Sequence, residues 1–197
     1  MTFDRAYWED RYGAPGLTWS GRPNAVLQSE VPGLAPGRAL DIGSGEGGDS
    51  IWLALRGWSV TGVDISQNAL DKASVKASSA GVEIEWLQRD LGEWMPEPLS
   101  FDLVTSHFMH LPPVVRRPLF AALAAAVAPG GTLLIVGHDV SDAHQHHAEL
   151  MFSVDDVLAD IAAAGLRVEV AESRPRSGTT ADGTITPMVD VVVRATR

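Results

Sequence analysis

The 197-residue chain contains no cysteine. Disulfides, thiolate metal sites and cysteine nucleophiles are thereby excluded, and the expected address is cytoplasmic. Basic residues are scarce as well: 15 Lys and Arg against 25 Asp and Glu give a formal charge of −10 and a pI near 4.9. A surface of that sign repels nucleic acid, and no basic cluster longer than the pair Arg116 and Arg117 offsets it. Long apolar runs are missing too, since the longest, Leu119 to Ala128, is about half a membrane span. The N-terminus is acidic and aromatic rather than basic then apolar, so no targeting segment or membrane anchor is expected. There is no internal repeat and no long linker. With 45% apolar residues the chain is expected to form one domain over 1–197, large enough for a three-layer core and too short for two domains.

What is present is organised around Arg38 to Trp52, RALDIGSGEGGDSIW. Ala39, Leu40 and Ile42 read as a buried strand, Gly43, Gly45, Gly47 and Gly48 break it, and Ile51, Trp52 and Leu55 start a helix with one apolar face. Such glycines can take positive φ and admit a ligand close to the backbone, beside the partly positive N–H groups of a first helical turn. The stretch is a nucleotide-sized ligand site. Gly43, Gly45 and Gly48 also satisfy G-x-G-x-x-G, the pattern of nicotinamide and flavin sites. Asp41 weighs the other way, because a carboxylate there repels a pyrophosphate and favours the ammonium and sulfonium of S-adenosylmethionine, directly or through water. The alternative role for Asp41 is structural, as acceptor for the glycine-loop amides.

LDIGSGEGGDS resembles motif I of class I S-adenosylmethionine-dependent methyltransferases. With YWEDRYGAPGLTWSGRPN before it, nearly the whole chain is similar to small bacterial members related to the tellurite-resistance B and thiopurine methyltransferase groups. The resemblance implies an α/β three-layer sandwich, with a Rossmann-like, mostly parallel seven-stranded sheet and an antiparallel C-terminal hairpin. It also implies S-adenosyl-L-methionine as cofactor, a small-molecule acceptor, no nucleic-acid or membrane partner, and a monomer or homodimer. Implied cofactor contacts are Gly43, Ser44, Gly45, Ile65, Leu91 and Ser106, with Asp90 accepting from the adenine amino group. Within the family, the lack of cysteine excludes cytosine-C5 methylation and thiol-dependent arsenic chemistry. An adenine-N6 enzyme would carry Asn or Asp, Pro, Pro and an aromatic after the fourth strand, where this chain has Ser106, His107, Phe108 and Met109.

Residues 3–12 predict a short helix with Phe3, Tyr7 and Trp8 on one side and Arg5, Glu9 and Asp10 outside. A second helix follows over Pro23 to Val31, and the segment 1–33 is expected to fold over the ligand edge, residues 1–22 as a lid. Trp19 is either its lid aromatic or a core-packing ring. The second strand, Trp58 to Val63, ends at Asp64, 21 residues after Gly43, where a carboxylate can receive both ribose hydroxyls. Ser66 supplies the next helix's cap, which frees Asp64 from that duty. That helix, Gln67 to Ala80, turns Leu70, Ala73 and Ala77 inward, and Val82 to Leu87 is a third strand. Asp90 is otherwise an exposed loop acid, and Trp94 either walls the adenine or packs beneath the Pro96 to Pro98 turn.

Phe101 to Ser106 reads as the fourth strand, and His107, Phe108, Met109 and His110 follow where the resemblance places the reactive face. A helix with the stripe Val115, Leu119, Ala122, Leu123 and Val127 precedes a fifth strand, Thr132 to Gly137. The segment His138 to His147 holds His138, His144, His146 and His147 at no zinc spacing, so it is expected to line the acceptor or lie in solvent, and no metal is expected. Phe152, Ser153, Asp156 and Val157 make a capping box and staple for a helix ending at Gly165. Leu166 to Ala171 and Met188 to Val193 are successive strands without a helix between them, hence antiparallel, around a mobile tip at Ser177 to Gly183.

Methyl transfer is an in-line displacement at an activated carbon, so the protein chiefly places the nucleophile opposite sulfur. A thiolate needs no base; for a hydroxyl or a protonated amine the first candidate is His107, then His110, whose other roles are strand cap and lining residue. The expected activity is methyl transfer to a small molecule, at sulfur or another chalcogen first, with oxygen and nitrogen open. The alternatives are an NAD(P)-dependent oxidoreductase and a non-catalytic cofactor-binding regulator.

Overall fold

The structure, a computed structural model, describes residues 4–141, 148–179 and 185–197. In chain order the elements are α1 (Arg5–Gly13), α2 (Ala25–Glu30), β1 (Arg38–Ile42), α3 (Gly48–Ala54), β2 (Ser59–Asp64), α4 (Gln67–Ser79) and β3 (Glu85–Gln88). They continue with β4 (Phe101–His107), α5 (Pro113–Ala126), β5 (Val127–His138), α6 (Val154–Ile161), β6 (Arg167–Thr179) and β7 (Ile185–Thr196). One seven-stranded sheet runs β3-β2-β1-β4-β5-β7-β6. β1 to β5 pair in parallel, and β7 lies antiparallel to both β5 and β6. This is the expected three-layer α/β architecture with its terminal hairpin.

Strand alternation divides the core between the two faces. Leu40, Ile42, Val104, Leu133, Ile135, Val191 and Val193 meet Leu119, Phe120 and Leu123 of α5 and Val157 and Ile161 of α6. Ala39, Leu103, Leu134, Val136 and Val192 meet Trp52 and Leu53 of α3 and Leu27 of α2. Gly131 is required where β5 begins to pair closely, because a Cβ there would meet the carbonyl oxygens of Ala128, Asp102 and Phe101 at 2.9–3.0 Å. Arg116 is buried and joins α5 to α6 through Asp160 at 2.8 Å and Asp156 at 3.5 Å. The capping box at Ser153 and Asp156 forms as the sequence predicts, and Ser66 caps α4 by accepting from the Ala69 amide at 3.2 Å.

Several expected boundaries shift. Leu55 is 57% exposed and Leu53 takes its inward place, since α3 starts at Gly48 and ends before Leu55. β3 begins only at Glu85. β6 and β7 are about twice the expected length, because the polar stretch Ser173 to Thr179 stays paired with β7 through charged cross-strand contacts such as Arg176 to Asp190. The expected tip at Ser177 to Gly183 is therefore strand as far as Thr179, and the remainder lies outside the described residues, as do Phe3, His144, His146 and His147.

Candidate active site

Because β1, β2, β4 and β5 are parallel, their carboxyl ends share one edge. That edge gathers Gly43 to Gly47, Asp64, Ile65, Ser106, His107 and His138. The glycine turn needs its glycines: Gly43, Gly45 and Gly47 have φ of +70°, +51° and +77°. A Cβ on Gly43 would strike the Met109 sulfur, and one on Gly47 would lie 2.9 Å from the Ala73 Cβ of α4.

Asp64 and Asp41 divide their roles differently from the sequence reading. Asp64, buried at the tip of β2, is the carboxylate that bonds the glycine turn, accepting from the Gly45 amide at 2.8 Å and the Ser66 amide at 2.9 Å. Burial raises its pKa, and those amides oppose the rise. Asp41 is buried on the α3 side, where it accepts from the Ser50 hydroxyl at 2.5 Å and the Thr105 hydroxyl at 3.2 Å. It therefore bonds neither the loop amides nor open solvent. Burial, and then the neighbouring Asp49, push its pKa up. Ser44 Oγ and Ser106 Oγ are buried beside this edge without a hydrogen-bond partner among the described residues.

His107 also turns toward α3. Its Nδ1 lies 2.8 Å from Asp49 Oδ2, and its side chain is 5% exposed. Burial favours the neutral ring, but the Asp49 carboxylate, with Asp41 behind it, outweighs burial and raises the pKa. Asp41, Asp49 and His107 bring ligand-type atoms within 4.8 Å of one another. The two carboxylates are already engaged by Ser50, Thr105 and the imidazole, so the group reads as a closed charge cluster. A base must present a lone pair to the acceptor, and at 5% exposure the His107 ring is the less open of the two histidines that end β4 and β5.

The N-terminal segment lies across the edge. Glu9, expected to point outward, instead caps α4: its carboxylate accepts from the Ser66 hydroxyl at 2.7 Å and from the Gln67 and Asn68 amides at 2.8 and 3.0 Å. Burial raises its pKa, yet these donors prevail and lower it. Tyr12 is buried with its hydroxyl 3.1 Å from the Cβ position of Gly45, and burial next to Asp64 pushes its pKa up to about 12. Trp19 is 52% exposed, which excludes the core-packing role; its indole N–H donates to Tyr12 Oη at 2.9 Å. Glu46, buried within the glycine motif, accepts from the Thr18 and Trp19 amides at 2.9 and 3.2 Å. Lys72 donates to the carbonyls of Ala14 and Gly16 at 2.8 and 2.7 Å. Sequence reasoning missed Glu9, Tyr12, Glu46 and Asp49. Tyr12 alone had a local signal, one helical turn after Trp8, on which it stacks with 5.9 Å between centroids.

Toward β3, Ile65 accepts through its carbonyl from Gln88 Nε2 at 3.1 Å. Asp90 folds a turn, accepting from the Gly92 amide at 2.9 Å. Leu91 is buried in the α5-side core, and Trp94 packs partly against it. Toward β5, Phe108, His110 and His138 form a ring cluster, with His110 and His138 stacked at 4.9 Å and 14° and Phe108 at 4.7 Å from His138. The His138 amide donates to His110 Nε2 at 3.0 Å. Asp190 of β7 lies 3.2 Å from His138 Nδ1 and accepts from Arg176 Nε at 2.5 Å.

Residues 39–131 match the family described as a methyltransferase domain. Over that stretch the chain is similar to the class I S-adenosylmethionine-dependent methyltransferases. The glycine turn lies within the matched residues, and that family's donor is S-adenosyl-L-methionine. The chain is 30% identical over 154 residues to trans-aconitate 2-methyltransferase of Paracidovorax citrulli, a match covering 75% of this chain and 58% of that protein. It is 33% identical over 135 residues to the Arabidopsis thaliana protein named probable thiol methyltransferase 2, covering 64% and 59%. The chain spans about half the length of the curated relatives it matches, from 41% to 59%. The fold recurs in TehB from Haemophilus influenzae, with a TM-score of 0.75 and 17% identity over 98% of this chain and 66% of that one. Among the described residues no helix is long and apolar enough to cross a membrane.

Proposed function

We propose that this chain transfers the methyl group of S-adenosyl-L-methionine to a small-molecule acceptor, with sulfur or another chalcogen the first class to test. The observation that carries the reading is the pairing of a positive-φ glycine turn with a buried carboxylate at the next strand's tip, Asp64 bonded to Gly45 at 2.8 Å. The unpartnered hydroxyls of Ser44 and Ser106 at the same edge fit a polar ligand laid along it. In this reading Gly43, Ser44, Gly45 and Ser106 border the amino-acid end, Asp64 and Ile65 the ribose, Asp90 and Leu91 the adenine, and Trp19 covers the site through Tyr12. Asp41 acts from beneath, placing negative charge behind the turn.

When bound, the cofactor supplies a carbon activated by sulfonium. The chain's own residues then have to bind, orient and exclude water, which the docked N-terminal segment is built to do. The thiol methyltransferase relative supports sulfur as acceptor atom; the trans-aconitate relative keeps oxygen as the second class. Calorimetry should show S-adenosylhomocysteine binding with NAD much weaker. A screen of thiols, phenols, amines and selenium or tellurium oxyanions for S-adenosylhomocysteine release identifies the acceptor. Tight NAD binding without a response to S-adenosylhomocysteine overturns the reading, and cofactor binding without release from any acceptor leaves a regulator.

A further inference from the structure

We propose that His138 is the base that takes the acceptor's proton, and that Asp190 is the positioning residue that holds it in the working tautomer. The proposal rests on the methyltransferase reading and deepens it: the acceptor is protic, reaching the site as a thiol or hydroxyl rather than as a preformed anion.

Asp190 is buried and engaged by Arg176 at 2.5 Å, and as an ion-paired carboxylate it only accepts. His138 Nδ1, 3.2 Å away, must then be the nitrogen that carries the proton, leaving the lone pair on Nε2. The ring stacks on His110 at 4.9 Å and packs beside Phe108 at 4.7 Å, which with Asp190 fixes the direction of that lone pair. His110 accepts the His138 amide through Nε2, so its own proton sits on Nδ1. Burial, and then His138, hold the His110 pKa down to about 3, so it faces His138 as a neutral ring. The charged and titratable groups around His138 are thus His110 from the β4–α5 connection, Asp190 from β7 and Arg176 from β6.

Position and access agree. His138 ends β5, two strands from β1 and so about 10 Å across the ligand edge from the glycine turn. The loop that packs on it also lays Met109 on Gly43. Its side chain is 19% exposed, against 5% for His107. In the step, the acceptor atom's electron pair forms the bond to the methyl carbon while the carbon–sulfur bond breaks and its pair goes to sulfur. The acceptor's proton passes to His138 Nε2, Asp190 offsets the imidazolium, and water later removes the proton.

The test uses the full chain. With 15N-histidine labelling, and His138→Gln to assign the signal, His138 should show a protonated Nδ1 and a bare Nε2, and Asp190→Asn should shift it toward the other tautomer. This reading needs no turnover. Rates are then compared near pH 7 for 4-nitrothiophenol, already ionised, and 2-mercaptoethanol, still protonated. His138→Gln should lower kcat/KM for 2-mercaptoethanol by about 10² or more, at least tenfold more than for 4-nitrothiophenol, and raising the pH should restore part of the loss. Equal losses on both thiols, or a bare Nδ1 in the unmutated protein, overturn the assignment. Absence of S-adenosylhomocysteine binding would instead remove the methyltransferase reading beneath it, a separate result.

Discussion

The Tyr12 hydroxyl stands 3.1 Å from the point at which Gly45 would carry a Cβ, so the N-terminal helix closes directly on the glycine turn. Gly45→Ala meets both this contact and a φ of +51°, where an L side chain costs about 1–2 kcal/mol. Thermal unfolding should fall by several degrees and S-adenosylhomocysteine affinity at least tenfold. Adding Tyr12→Phe removes the contacting oxygen and should recover part of the affinity, measured as a double-mutant cycle. Strict additivity would show that the two residues do not meet.

Asp64→Ala should weaken cofactor binding by about 1.5–3 kcal/mol, the range for hydrogen bonds to a charged group. It should also lower thermal stability, since the Gly45 and Ser66 amides lose their acceptor. Asp64→Asn keeps one acceptor oxygen, and should retain more stability than affinity. Calorimetry on both variants separates the effects; an unchanged dissociation constant refutes the ribose role.

Cleavage by trypsin at Arg11 and Arg22 reports on the N-terminal segment. Glu46→Gln removes the carboxylate that gathers the Thr18 and Trp19 amides and Lys72. Cutting should accelerate severalfold in this variant, and S-adenosylhomocysteine should slow it in the unmutated chain. Identical digestion of both proteins, with and without ligand, would count against a lid.

Acid should expose the buried His110. Its folded pKa of about 3 lies below the ordinary value of 6.5, so the unfolded chain binds a proton first as pH falls. The stability it supports is complete above that ordinary value and drains away between it and the folded value, by up to about 1.4 kcal/mol per pH unit. His110→Gln keeps an acceptor for the His138 amide and cannot titrate. The gap in unfolding free energy between the two proteins should narrow from pH 7 to pH 5; a constant gap means His110 protonates freely in the fold.

Features encoded over a few residues were legible in the sequence. The glycine turn, the Ser66 cap and the Ser153–Asp156 capping box each depend on neighbours along the chain, and each forms. Contacts across the fold were not legible. Glu9 meets Asn68 across 59 positions, and nothing around either residue marks it as a cap. His107 appeared to face the acceptor because it follows a strand, but alternation in β4 turns it with Leu103 and Thr105 toward α3, where Asp49 waits. The length of the terminal hairpin was hidden for a related reason: its outer half is joined by arginine and aspartate pairs rather than by an apolar pattern.

The placement of β7 between β5 and β6 also sets a schedule for synthesis. β1 to β5 can assemble on one another as they leave the ribosome, but β5 then presents an open hydrogen-bonding edge until Ile185–Thr196 has been made. His138 meets Asp190 only when that strand slots in. For that interval the nascent chain holds an unpaired apolar strand with Leu133, Ile135 and Val136, the kind of edge to which chaperones and other nascent chains attach.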